Sequence, residues 1–195
     1  MGPALSERRQ TLDPGLRTLL LNTARASVRH GLAHGRALPV TVEDYPPPLQ
    51  EPRATFVTLK LDGRLRGCIG TLEAYRPLVQ DVAENAFAAA FQDPRFPPLG
   101  EAEYPRLEYH VSILSEPEPF PVRDEADLLA RLRPGVDGLV LSQGPHRATF
   151  LPAVWDSLPD ARDFVAHLKL KAGLPAEHWS DAMRFERYTV EEFGG

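Results

Sequence analysis

The stretch TFVTLKLDGRLRGCIGT, residues 55–71, decides how this chain folds. Thr55 to Leu61 is a run of β-branched and apolar residues. Asp62-Gly63 then carries the two-residue hairpin signal, and Arg64 to Leu72 returns as the partner strand. Two glycines flank Cys68 inside that returning strand. Glycine weakens a strand and offers nothing to pack, so it is kept where the chain bulges or where something approaches the backbone closely. Plain pairing across the turn sets Leu61 opposite Arg64, Leu59 opposite Arg66 and Val57 opposite Cys68. Arg66 then lies among apolar neighbours and needs a carboxylate or a ligand to pair with it. A bulge at Gly67 changes that register and turns Arg66 outward.

Outward from the hairpin, the pattern alternates helix and strand. Asp13 can cap a helix that starts at Pro14. Leu16, Leu19, Leu20, Ala24, Val28 and Leu32 continue it at helical spacing, to an end near Gly31 or Gly35. Val40 to Arg53 is a proline-rich connector. Leu78, Val79, Val82, Ala83, Ala86, Phe87 and Ala90 form a second helical stripe, broken at Asp93-Pro94. Leu107, Tyr109, Val111 and Ile113 alternate with polar residues as a half-buried strand. The second half runs in the same order: a helix over 124–132, a hairpin from Gly138–Leu141 and Arg147–Leu151, a helix over 160–172 and a strand over 185–190. Hairpins replace the single strands of βαβ units, so the class is α+β: duplicated hairpin–helix–strand units forming one mainly antiparallel sheet with helices packed on it. The expected organisation is a flexible N-terminus at 1–12 and a single domain over 13–193. That domain consists of two structural repeats, approximately 13–115 and 124–193. Gly194 and Gly195 read as a frayed end.

Composition narrows the function classes. The chain has 195 residues, 43% hydrophobic and 25% charged, enough for a sizeable core. A net charge of −5, with no basic stripe of stacking aromatics, disfavours nucleic acid as a partner. One cysteine excludes an intrachain disulfide and a multi-cysteine metal site, which fits a reducing, cytoplasmic setting. The N-terminus has no apolar run after its basic residues, so no secretory signal is expected. No stretch of 18 apolar residues marks a membrane span. Lysine occurs only at positions 60, 169 and 171, against 20 prolines. GC-rich coding is the simplest cause, and the proline content also suits a heat-adapted protein.

Several colinear motifs resemble the AMMECR domain family, known in prokaryotes as AmmeMemoRadiSam system protein A. They are Phe-Val-Thr-Leu at 56–59, Leu-Arg-Gly-Cys-Ile-Gly-Thr at 65–71, Glu84-Asn85-Ala86 and Asp93-Pro94-Arg95-Phe96-Pro97-Pro98-Leu99. Val111-Ser112-Ile113-Leu114, Gly138-Leu139, Phe150-Leu151-Pro152 and Lys171-Ala172-Gly173-Leu174-Pro175 continue the series. The resemblance implies an α+β duplication. It also implies a functional association with a Memo-family protein and a radical SAM protein. The chain lacks the three-cysteine cluster motif of radical SAM enzymes, so iron–sulfur chemistry would belong to the partner, and no cofactor is implied for this chain alone.

The candidate site centres on the RGCIG motif. Cys68 is a candidate nucleophile or redox thiol, with Arg66 favouring its thiolate and His110, on a strand of the same repeat, as the candidate base. Arg66, Gly67, Glu84, Asn85, Asp93 and Arg95 are expected to converge with Cys68 on one concave, mixed-charge site for a small polar ligand or a partner's side chain. The competing reading makes Asp93 and Arg95 a loop clamp, with Arg95 tied to Glu84 or Asp93. His30 and His34 have a spacing that can bind zinc, but no third ligand lies nearby in sequence and no metal is assigned. Trp155 and Trp179 are expected to cover the core.

Overall fold

The computed structural model describes residues 11–195. The expectation of a flexible N-terminus falls, for residues 1–10, outside the described residues. Leu12 is buried, and its N–H donates to the Glu191 carboxylate at 2.9 Å. The chain divides into two compact units, one containing residues up to Ile113 together with Glu191–Gly195, the other Leu114–Val190.

In the first unit, α1 (Pro14–His34) begins under an Asp13 cap, whose side chain accepts from the Gly15 N–H at 2.8 Å. Proline at the first helical position has no N–H to leave unsatisfied. The proline-rich connector contains the short α2 (Pro47–Gln50). β1 (Ala54–Leu61) and β2 (Arg64–Gly70) form the expected hairpin. Asp62 and Gly63 both take positive φ, 52° and 77°, as the turn requires. α3 (Leu78–Phe91) then packs over this hairpin, and β3 (Leu107–Leu114) follows. Leu20, Val28, Val57, Leu59, Val82, Ala86, Val111 and Ile113 are fully buried in one core of α1, α3 and the strands. Ser27 on α1 reinforces it, donating to the Ala83 carbonyl of α3 at 2.6 Å.

The second unit contains β4 (Glu118–Pro119), α4 (Glu125–Arg131), β5 (Gly138–Gln143), β6 (His146–Phe150), α5 (Ala161–Lys171) and β7 (Arg184–Tyr188). Its core is built around Leu139, Leu141, Phe164, Val165 and Leu168. Trp155 stacks on Phe164 at 3.8 Å and donates its indole N–H to the Asp137 carbonyl. Trp179 packs against the same core beside Phe185. Lys169 is fully buried, paired with Glu125 at 3.2 Å and lying over the Trp179 ring.

The α+β class holds, but the strands form two four-stranded sheets in place of one. Their orders are β2-β1-β3-β8 and β4-β7-β5-β6, where β8 is Val190–Gly194. In both, the first hairpin strand is internal, with its hairpin partner on one side and β3 or β7 on the other. β8 is the element that the frayed-end expectation missed. It adds an edge to the first sheet, and Gly195 exchanges backbone hydrogen bonds with Tyr109 at 3.1 and 2.9 Å. Such reciprocal pairing satisfies backbone groups that a frayed end leaves to water.

Candidate functional site

The hairpin register departs from plain pairing by one residue. Leu61 faces Arg64 and Lys60 faces Leu65, but Leu59 then faces Gly67, leaving Arg66 as the extra residue of a bulge. Cys68 therefore pairs with Thr58, not Val57, and Ile69 pairs with Val57. The end of α3 packs against this bulge. A Cβ on Gly67 would stand well under 3.0 Å from the Ala89 carbonyl oxygen, so only glycine lets helix and strand approach this closely. Gly67 and Ile69 share the helix-covered face with Leu59 and Val57, and Cys68 shares the opposite face with Thr58.

The bulge does not turn Arg66 outward. Arg66 is 6% exposed, folded beneath residues 96–103. Its Nε donates to Glu103 at 2.8 Å, and its Nη2 donates to the Pro97 carbonyl at 2.7 Å and to Glu103 at 3.3 Å. Glu103 is the carboxylate that its setting demanded. The Arg66 guanidinium and the Gly100 N–H hold the Glu103 carboxyl below its usual range. The Nη1 group of Arg66 is buried without a hydrogen-bond partner.

Cys68 is half-buried on β2, an edge strand. The Thr58 hydroxyl donates to its Sγ at 3.1 Å, and its own N–H donates to Asp93 Oδ2 at 3.0 Å. Asp93 also accepts from the Arg95 N–H at 3.1 Å, Nε at 3.0 Å and Nη2 at 2.7 Å. That bidentate arginine is the main cause holding the Asp93 carboxyl far below the carboxylate range, helped by the two backbone N–H groups against the opposing effect of burial. Phe96 lies between two guanidinium groups, 5.7 Å from Arg66 and 5.5 Å from Arg95. Arg95 thus takes Asp93 as its partner, and the Asp93–Arg95 pair caps the outer edge of β2 at Cys68.

The remaining expected site residues lie elsewhere. His110 is on β3, and β1 separates β3 from β2. Two strand spacings put it at least about 10 Å from Cys68, outside hydrogen-bond reach. Its ring lies against Gly194 of β8. The geometry therefore does not form a Cys68–His110 pair. Asn85 points into a second buried network, donating to Thr55 Oγ1 at 3.0 Å and to Asp81 Oδ2 at 3.1 Å. Thr55 donates to Asp81 at 2.6 Å, and Arg76 closes the network on Asp81 at 2.6 Å and on Asn85 at 3.2 Å. This network ties β1 to α3 and does not touch the thiol. Glu84, half-buried on α3, makes no ion pair among the described residues. Arg66, Gly67, Cys68, Asp93 and Arg95 are thus brought together along one strand edge, while Asn85, Glu84 and His110 are not. No group of three potential metal ligands occurs among the described residues. The His30 and His34 rings lie 4.4 Å apart, tilted at 40°. No helix among the described residues is long and apolar enough to cross a membrane.

Thr58, Phe96 and Glu103 belong to the site and were not selected from the sequence. Thr58 follows once the bulge is placed at Arg66. Glu103 lies 37 residues from Arg66, with no spacing signal to connect them.

Together these features define an α+β protein whose first hairpin bulges to present a half-buried thiol under a clamped loop. The chain belongs to the AMMECR1 family, whose model matches residues 21–193. A protein of Methanocaldococcus jannaschii is 36% identical over 191 residues, covering 94% of this chain and 90% of that protein. A Thermotoga maritima protein is 42% identical over 154 residues, covering 77% and 83%. The crystal structure of an uncharacterised Pyrococcus horikoshii protein superimposes with a TM-score of 0.78 at 32% identity, covering 90% of this chain and 89% of that one.

Proposed function

We propose that this chain is an accessory or enzymatic component that acts with Memo-family and radical SAM proteins in a modification pathway, and that Cys68 is the group it contributes. The observation that carries this reading is the setting of the thiol. Its sulfur receives the Thr58 hydroxyl, its backbone N–H is fixed by Asp93, and Arg95 pairs with that same Asp93. Among the described residues no histidine is bonded to Cys68, so a reaction at Cys68 would draw its base from a ligand or a partner. That favours a shared site over a stand-alone cysteine-dependent enzyme, the second reading that the Thr58–sulfur contact supports. A small polar ligand suits the edge site, and a duplex does not.

Iodoacetamide labelling of the folded protein tests the thiol's role. Cys68 is expected to react without denaturant, and Thr58→Val to change its rate several-fold with the fold intact. A sulfur that reacts only after unfolding would leave Cys68 as a packing residue.

A further inference from the structure

The contacts of residues 94–103 are unevenly distributed. Between Pro94 and Ala102 only Leu99 is buried and Phe96 partly so; the Pro97, Pro98 and Gly100 side of the segment faces solvent. Arg66 holds its far end through the Glu103 carboxylate, the Pro97 carbonyl and the Phe96 ring, while the Arg95–Asp93 pair and the Leu99 N–H on the Ala90 carbonyl hold the near end and the middle. The two members of the ion pair are unequally covered, the Arg66 side chain 8% exposed and that of Glu103 28%. Glu103 is therefore the member that can leave.

We propose that Arg66 and Glu103 form a latch, and that residues 94–103 are a strap that lifts from the β2 edge as a local unit while the sheet beneath stays folded. The closed strap buries Nη1 of Arg66 without an acceptor. A buried donor without a partner costs free energy that opening returns, because water then reaches the whole guanidinium. Few buried apolar side chains and a concentrated ionic anchor describe a segment at the low-stability end of a fold. Lifting the strap uncovers a guanidinium already positioned beside the Cys68 strand. The inference concerns motion only and stands whether or not Cys68 acts chemically.

Native-state hydrogen exchange on the full chain tests it. The reporters are the Leu99 N–H, bonded to the Ala90 carbonyl, and the Gly100 N–H, bonded to Glu103. Corrected for intrinsic rates, both should exchange at least tenfold faster than the amides of central strand β1, with rates insensitive to low urea. Glu103→Gln should raise the Leu99 rate several-fold more and leave the β1 rates unchanged. Leu99 and Gly100 amides that exchange with the β1 set, at the same urea dependence, would make the pair a fixed clamp and overturn the latch. That comparison needs only the wild-type chain, so it decides the matter even where Glu103→Gln fails to fold.

Discussion

Gly67→Ala lowers the unfolding free energy by about 3 kcal/mol, the upper part of the range for forcing atoms into a packed site. The new methyl has no space, because the Ala89 carbonyl oxygen occupies it. That oxygen is backbone at the end of α3, so relief requires moving the helix or undoing the bulge. Undoing the bulge is no escape, since it would return Arg66 to pairing opposite Leu59 and pull it from Glu103. Gly63→Ala provides the contrast. Nothing lies within 4 Å of its added methyl, and only its positive φ of 77° is strained, at about 1 kcal/mol. Urea midpoints of the two variants against wild type check the difference. Equal losses would mean that close approach of α3 does not determine the motif's first glycine.

Asp81→Ala is expected to cost about 3 kcal/mol, the penalty for removing one partner from a buried charged network. Asp81 is 1% exposed and accepts from Thr55, Asn85 and Arg76. Without it, the Thr55 hydroxyl loses its acceptor, and Arg76 loses its carboxylate and keeps only the Asn85 amide oxygen as a hydrogen-bond acceptor. The network also connects β1 to α3, so the loss acts on the packing that positions the Cys68 hairpin. Arg106→Ala, which breaks an exposed pair with Asp62 at the hairpin turn, should barely move stability. Denaturant unfolding of both variants is the check, and similar losses would contradict the assignment of Asp81 as a buried anchor.

These cases show where the sequence was legible. The Asp62-Gly63 signal located the hairpin, and its positive-φ turn is what the structure has. Helical spacing located α1, α3 and α5, because each buries a regular apolar stripe. The division into two sheets was not legible, because neighbouring strands that close one unit carry the same alternation as strands within a single sheet. β8 was missed because Val190-Glu191-Glu192-Phe193-Gly194 is short and acidic. Its pairing comes from the partner strand and from Arg17, which holds Glu191 at 2.8 Å. At the site, local chemistry was readable and long-range chemistry was not. Asp93 and Arg95 are two apart and clamp as their spacing allows. Arg66 plainly needed an acid, but only the fold identifies Glu103. Asn85 belongs to a motif with Glu84, yet its partners are Thr55, Asp81 and Arg76, and a one-residue bulge sends Cys68 to the other face of the sheet.

The most direct test of the central claim is co-purification. The tagged chain would be co-expressed with Memo-family and radical SAM proteins from the same organism, in wild-type form and as Cys68→Ser. Wild type is expected to retain one or both proteins, and Cys68→Ser to lose that retention or the product of their joint activity while unfolding at the same urea concentration as wild type. If neither protein is retained and Cys68→Ser changes no joint product, the shared-site account is contradicted.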